Sequence, residues 1–349
     1  MAGMVTVKRT RDASSDNSGM SETANHLLIP FASVSSETAV KVQQDLKLPN
    51  LRQLLATLTL VDSDLGTEES FSPPHERVLA KAQGLPVVDG CIPWAAQRAT
   101  FLDLEGAQTL PWSFVTLCHS VVGMGSMTME DPAQLQVSEA ESRQLLADMA
   151  PYFVEDGLTL HYLEPKLWLC CGRTLRDVRT ASFDRVVGKN LSEWQPADGE
   201  SAKLRRLQNE MQMLLYTHTV NDARNHANAA LINSINFHGN GELSGELKGL
   251  LSMDSEQVST NISTPRSLAQ AALEEDWPAW VKAWEQLDAT ACADLLKRVQ
   301  TGEPVTLTLC GERSALTYEL QPKSALERLK SSFRGILGLQ PAYLLPKVL

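Results

Sequence analysis

The sequence predicts an α/β protein that carries an α+β insertion. Three observations support this. Strand and helix signals alternate along the chain, as they do in folds that layer helices on a sheet. The middle block, from Leu110 to Gly241, departs from that rhythm and reads strand, helix, hairpin, helix. The composition is ordinary for a globular protein, with 349 residues, 43% of them apolar and 21% charged, enough for two domains or for one with a large insertion. A formal charge of −11 disfavours nucleic acid as a partner, because that binding draws on clustered Lys and Arg. No apolar run approaches the roughly 18–20 residues of a membrane span. Lys8, Arg9 and Arg11 have no apolar stretch behind them, so no secretory signal is expected. Cys170 and Cys171 are adjacent and there is no C-x-x-C, so neither a zinc site nor a disulfide frame is expected, and the default compartment is a reducing cytoplasm.

Taken in order, residues Met1 to Asn25 are rich in Ser, Thr, Asp and Asn and read as a disordered tail, or as translation upstream of a start at Met20. His26-Leu-Leu-Ile-Pro-Phe is a buried-strand signal. The helix after Pro49-Asn50 places Leu51, Leu54, Leu55 and Leu58 on one face. Asp62 to Pro74 reads as a loop and His75 to Ala82 as a helix. PWSFVTLCHSVVGM is one strand or two. Ser138 and Glu141 form a capping box that opens a helix. GLTLHYL and KLWLCC make a hairpin through Glu164-Pro165. Beyond a polar loop ending at Ser263, Thr264-Pro265 is expected to start a helix, with Pro in its first turn. Trp280, Trp284, Leu287, Ala291 and Leu295 recur at helical spacing between Asp276 and Gly302, and the tryptophans read as core. PVTLTLCG and ALTYEL form a terminal hairpin. The segment SALERLKSSFRGILGL is basic and amphipathic, and reads as a solvated helix.

The stretch Leu204 to Gly241 holds the candidate site. Leu204, Leu207, Met211, Leu214 and Leu215 line one face of a helix. Beyond it, Asn221, Asp222, Arg224, Asn225, His226, Asn228, Asn233, Asn236, His238 and Asn240 crowd a short apolar run that closes on Gly239-Asn240-Gly241. An Arg fork, amides and close-spaced glycines suit a phosphate or a small acid. The same residues also suit a helix–turn–helix corner in which Asn221 caps a helix, Arg224 pairs with Asp184 or Asp222, and the glycines turn the chain.

The order of these motifs resembles the archaeal-type cofactor-independent phosphoglycerate mutases of the alkaline phosphatase superfamily. WSFVTLC, EAESRQLLADM, KLWLCC, SFDRVVG and LRRLQNEMQMLLYTHTVNDAR…INSINFHGNG follow the order of that family's inserted domain. HLLIPFA, LPNLRQLLA and the stretch WVKAWEQLDATACADLLKRVQTGEPVTLTLCGE resemble its ends. A closer likeness covers roughly Asn25 to Phe333: the HLLIPFA, LPWSFVTL, NEMQMLLYTH, VNDAR and LTLCGE segments are similar to those of the proteobacterial RpfE-type regulatory proteins. The resemblance implies an alkaline-phosphatase-like, doubly wound core with an inserted α+β lid. That divides the chain into a tail (1–25), a first core part (26–109), a lid (110–241) and a shortened second core part (242–349).

Catalysis in such a family needs two divalent metals, manganese or zinc, and a nucleophilic Ser. This sequence departs from the family at the ligands. Pro30-Phe31-Ala32 stands where an Asp is expected, Gly311-Glu312 replaces an Asp-His pair, and Gly249 to Ser267 holds no His. The resemblance therefore implies a non-catalytic, regulatory pseudoenzyme with no cofactor. It would bind an unidentified protein partner or a small phosphorylated or carboxylated ligand through Asn221, Arg224, Asn233, His238, Gly239, Gly241 and Asp184. The alternative is an active mutase or phosphatase with a manganese or zinc site built from His119, His218, His226 and His238 with Asp184 and Asp222. The spacing of those residues matches no metal motif. A third reading, a nucleic-acid regulator, has only the basic segments Lys203–Arg206 and Lys323–Arg334 in its favour.

Overall fold

The computed structural model describes residues 25–123, 126–194, 199–243 and 261–321. The tail before Asn25, the basic segment near the C-terminus and most of the polar stretch after Gly241 lie outside them. Strand β1 (His26–Ile29) buries Leu27, Leu28 and Ile29 completely. Helix α1 (Glu37–Gln44) follows. Helix α2 (Pro49–Thr57) opens on Pro, whose missing N–H costs nothing in a first turn, and buries Leu51 and Leu54. Strand β2 (Thr59–Leu65) then runs into the region read as a loop. Six of its seven residues are exposed, so it has no buried face to impose an alternation that the sequence could display. Helix α3 (Pro74–Ala82) is as expected, and α4 (Trp94–Phe101) is an addition.

The middle of the chain supplies β3 (Trp112–Cys118), β4 (Ser120–Val122), β5 (Met127–Met129) and α5 (Glu139–Glu155). The capping box forms as read: the Glu141 N–H donates to Ser138 Oγ at 3.2 Å, and the Ser138 N–H donates to Glu141 Oε2 at 2.8 Å. The hairpin β6 (Thr159–Glu164) and β7 (Leu167–Cys171) comes next, then the short α6 (Phe183–Val186), α7 (Ala202–Tyr216) and α8 (Thr219–His226). The expected helix–turn–helix corner ends differently, because the chain leaves α8 and enters strand β8 (Ser234–Gly241).

Among the described residues these strands form an antiparallel sheet in the order β6-β7-β3-β8, beside the small β4-β5 pair. Helices α5 and α7 cover one face, packing Met149, Phe153, Leu207, Met211 and Leu215 on Val115, Leu117 and Trp168. Ala95, Ala96 and Ala99 of α4 pack the other face against Trp112 and Leu169. A sheet covered on both sides explains why β7 reads as an unbroken apolar run and why β3 is buried along almost its whole length.

The last part supplies β9 (Ile262–Ser263), α9 (Ser267–Leu273), α10 (Trp277–Leu287), a π-helical turn (Asp288–Cys292), α11 (Ala293–Thr301), β10 (Thr306–Cys310) and β11 (Ser314–Glu319). Helix α9 starts later than expected, with Arg266 as its N-cap and Pro265 outside it. Gly302, at φ 82°, ends α11 in the left-handed conformation that glycine adopts most easily. The second sheet runs β2-β11-β10-β1-β9. Strands β9, β1 and β10 are parallel, whereas β11 and β2 are antiparallel, so the fold is mixed α/β. Its core gathers Leu51 and Leu54, the fully buried Trp280 and Trp284, and Leu295. From the π-helical turn, the Asp288 carboxylate reaches α2, accepting the N–H of Leu51 at 2.7 Å and of Asn50 at 3.3 Å. Among the described residues no helix is long and apolar enough to cross a membrane.

Candidate functional site

Open α/β sheets bind ligands in the crevice outside the carboxyl ends of their parallel strands. In this chain β1 and β10 end side by side, and the backbone leaves β1 through Pro30-Phe31-Ala32. Phe31 holds φ at 52°, a left-handed conformation that costs a residue with a bulky side chain and needs support from its surroundings. The support is visible. Trp280 Nε1 donates to the Phe31 carbonyl at 3.0 Å and Trp284 Nε1 to the Ala32 carbonyl at 3.3 Å, while the Ala32 N–H donates to Cys310 O at 2.7 Å. The tryptophans of α10 are core residues, as expected, and they also fix the mouth of the crevice. The Phe31 ring lies 5.9 Å from the ring of His75.

An ionic cluster stands beside the end of β1. His75 and Glu76 sit in the first turn of α3, Asp184 on α6, and Arg266 immediately before α9. Asp184 Oδ2 accepts from His75 Nε2 at 3.0 Å, and the Arg266 fork clasps both carboxylate oxygens at 2.7 and 2.8 Å. The side chains of His75 and Asp184 are only 5% and 8% exposed. Burial alone would raise the Asp184 carboxyl. The hydrogen bonds from His75 and Arg266, with their charge, outweigh it and hold the group far below the usual carboxylate range. Glu76 goes the other way: burial pushes it up, and His75 together with the hydrogen bond from Ser182 Oγ offsets only part of the rise. Glu312, after β10, accepts from the N–H of Ser35 at 3.1 Å and from its hydroxyl. Two groups in this region are incompletely partnered among the described residues: His75 Nδ1, and Nε and Nη2 of Arg185. Arg185 stands 5.6 Å from the Trp194 ring.

The sequence-predicted residues divide between this cluster and other parts of the four-stranded sheet. Asp184 is the centre of the cluster. His238 stands beside it, its ring 5.3 Å from Phe114 and 5.2 Å from Phe183, with Nε2 at 2.8 Å from Thr116 Oγ1. Burial lowers its pKa to about 4, against a smaller opposing pull from Asp184. Gly239 and Gly241 let β8 approach its neighbours. A Cβ on Gly239 would lie 3.0 Å from the Phe114 ring, and one on Gly241 would lie 2.7 Å from Cys91 O.

Asn221, Arg224 and Asn233 are engaged elsewhere. Asn221 donates to the carbonyls of Leu215 and Ile232 at 2.8 and 2.7 Å and accepts the Ile232 N–H at 3.0 Å. It lies inside α8, whose cap is the His218 ring. Arg224 pairs with Glu141, not with Asp184 or Asp222, and donates to the carbonyls of Ala230 and Gln136. Asn233 exchanges two hydrogen bonds with the backbone of Ser120. The motif SFDRVVG holds Ser182 and Arg185 beside Asp184, whereas His75, Glu76 and Arg266 belong to no motif of the sequence. Only the Pro73-Pro74 start of α3, which puts His75 and Glu76 in a first turn, hinted at any of them.

No family model matches the sequence, and no curated protein does. Among the solved structures that match, two are similar to most of the chain. One is a cofactor-independent phosphoglycerate mutase from Thermoplasma acidophilum, with 13% identity and a TM-score of 0.34 over 84% of this chain and 89% of that one. The other is the PH0037 protein from Pyrococcus horikoshii, with 11% identity and a TM-score of 0.40 over 87% and 89%. At these scores neither likeness supports an inference about activity.

The residues at the crevice do not fit a two-metal centre. Such a centre needs several carboxylates and imidazoles facing one point. Here Phe31 follows β1, and Asp184, Glu76 and Glu312 each already accept hydrogen bonds from protein groups. Among the described residues no group of three or more His, Cys, Asp or Glu is arranged to hold a metal. The histidines of the alternative reading are dispersed: His218 contacts Asp148, His226 the carbonyl of Asp222, and His119 the carbonyl of Leu231.

Proposed function

We propose that this protein is a non-catalytic, mutase-like protein with a regulatory role of the RpfE type, acting through a protein partner. One observation carries the non-catalytic part of the reading. Phe31 and a His75–Asp184–Arg266 lattice stand beside the carboxyl end of β1, with His75 and Asp184 buried and the Asp184 carboxylate already accepting three hydrogen bonds. Such a lattice bolts α3 and α9 to α6 instead of leaving ligand positions open. The regulatory part rests on the sequence resemblance alone. Metal analysis of the purified protein after soaking with manganese or zinc tests the reading, together with a phosphoglycerate mutase assay. The expected result is no stoichiometric metal and no turnover. Two tightly held ions per chain with manganese-dependent turnover would overturn it.

The second reading, an active enzyme, draws on the Asp184–His75 pair. An imidazole oriented through Nε2 with an unpartnered Nδ1 is the arrangement of a general base. Turnover that vanishes in His75→Ala but survives in His218→Ala would favour that reading.

A further inference from the structure

The four-stranded sheet has β8 at its edge, and a cavity of about 130 Å³ lies between that edge, α7 and the stretch 178–194. Its polar lining is unusual for a chain of net charge −11. The charged residues lining it among those described are Arg179 and Arg205, with no Asp or Glu. Two of its side chains carry buried N–H donors with no partner among the described residues, Trp194 Nε1 and Asn236 Nδ2. A third donor, Gln212 Nε2, meets only the Met127 sulfur at 3.9 Å, and a thioether is a weak acceptor. Buried donors without acceptors are rare in folded proteins and point to a missing water, ion or ligand.

We infer that this cavity binds a small carboxylic acid, with its carboxylate accepting from Trp194 Nε1, Asn236 Nδ2 and Gln212 Nε2. A carboxylate offers about four acceptor sites on two oxygens, enough for three donors at once. Size sets the rest of the molecule. A cavity of about 150 Å³ holds a ligand the size of benzene, about six heavy atoms, which is the size of a three-carbon hydroxy or keto acid. A phosphorylated three-carbon acid is too large. The cavity adjoins the Asp184 cluster through α6 and Trp194, but the inference rests on the cavity's own donors and stands whether or not the crevice is catalytic.

Isothermal titration of the full chain with lactate, pyruvate and inorganic phosphate tests it, alongside spectra of the ¹⁵N-labelled tryptophan indoles. The expected result is saturable binding of lactate or pyruvate with a Kd on the order of 0.1–1 mM, with one indole resonance shifting. Trp194→Phe should remove that resonance and weaken binding about tenfold, the effect of one lost hydrogen bond to a charged group. Gln212→Leu, at a half-buried position of the lining, should also weaken it. No indole shift with either acid at about 10 mM, far above the expected Kd, would mean that only water fills the cavity and would overturn the inference. Equal binding of phosphate would overturn the carboxylate assignment. Binding unaffected by both substitutions would place the acid elsewhere. Because none of these readouts involves turnover or metal, their failure is separable from failure of the non-catalytic reading.

Discussion

Asp184 and Glu76 occupy the same interface and respond to pH in opposite senses. The folded-state pKa of Asp184 is depressed, so its contribution to stability is complete above its unfolded value of about 4 and is lost as pH falls through the folded value. Asp184→Asn should lower stability at neutral pH by about 3 kcal/mol, because it removes the buried carboxylate charge that His75 and the Arg266 fork both donate to. Urea midpoints should show the loss shrinking in strong acid. The folded-state pKa of Glu76 is raised, so the wild type loses stability as pH climbs from the unfolded value of about 4.3 through the folded one. Glu76→Gln removes that loss and keeps an acceptor for Ser182. Its Tm should equal the wild-type value near pH 4 and exceed it at pH 7. Asp184 was legible in the sequence through a motif. His75 and Arg266 were not, since Arg266 lies 82 residues from Asp184 and neither belongs to a local pattern.

Elements whose signal is local were read correctly. The Ser138/Glu141 box is a spacing, and the sequence displays spacings directly. Ser138→Ala should cost about 1 kcal/mol, read from the urea midpoint. The face of α7, the β6–β7 hairpin and the tryptophan spacing of α10 were legible for the same reason. Other elements were not, among them α4, β2, β8 and the short β9, which falls in the stretch read as a polar loop. The buried face of α4 is built of small alanines, which barely raise the apolar pattern above background. Strand β2 has almost no buried residue. The sequence of β8, SINFHGNG, is poor in β-formers and is a strand because β3 pairs with it from Cys118↔Ser234 to Trp112↔Gly241. The Asn-rich stretch before β8 looked like a ligand site because amides that bind backbone and amides that bind ligands have the same composition. Asn221→Ala deletes three buried hydrogen bonds and should cost about 2–4 kcal/mol. Faster hydrogen exchange at the Ile232 amide would report it. No change in either measurement would show that Asn221 does not brace α8.

Across the whole molecule, the two sheets are joined by polar contacts as well as by packing: His75 and Arg266 to Asp184, and Ser182 to Glu76. This joint sets how the halves unfold together. Calorimetry of the wild type should give one endotherm, and the double variant His75→Ala, Asp184→Ala should split it into two. A single transition in the variant would mean that apolar packing alone couples the sheets.

The strands of the four-stranded sheet all come from residues 112–241, whereas β1 pairs with β9 and with β10, where His26 faces Thr306. On the ribosome this becomes a matter of timing. The four-stranded sheet has all its strands once Gly241 emerges, while β1, made first of all, waits for most of synthesis with both edges open. Apolar Leu27, Leu28 and Ile29 stay exposed for that interval. A ribosome stalled before Thr306 holds a nascent chain whose earliest strand is its least protected, and such a chain is a natural client for a holding chaperone.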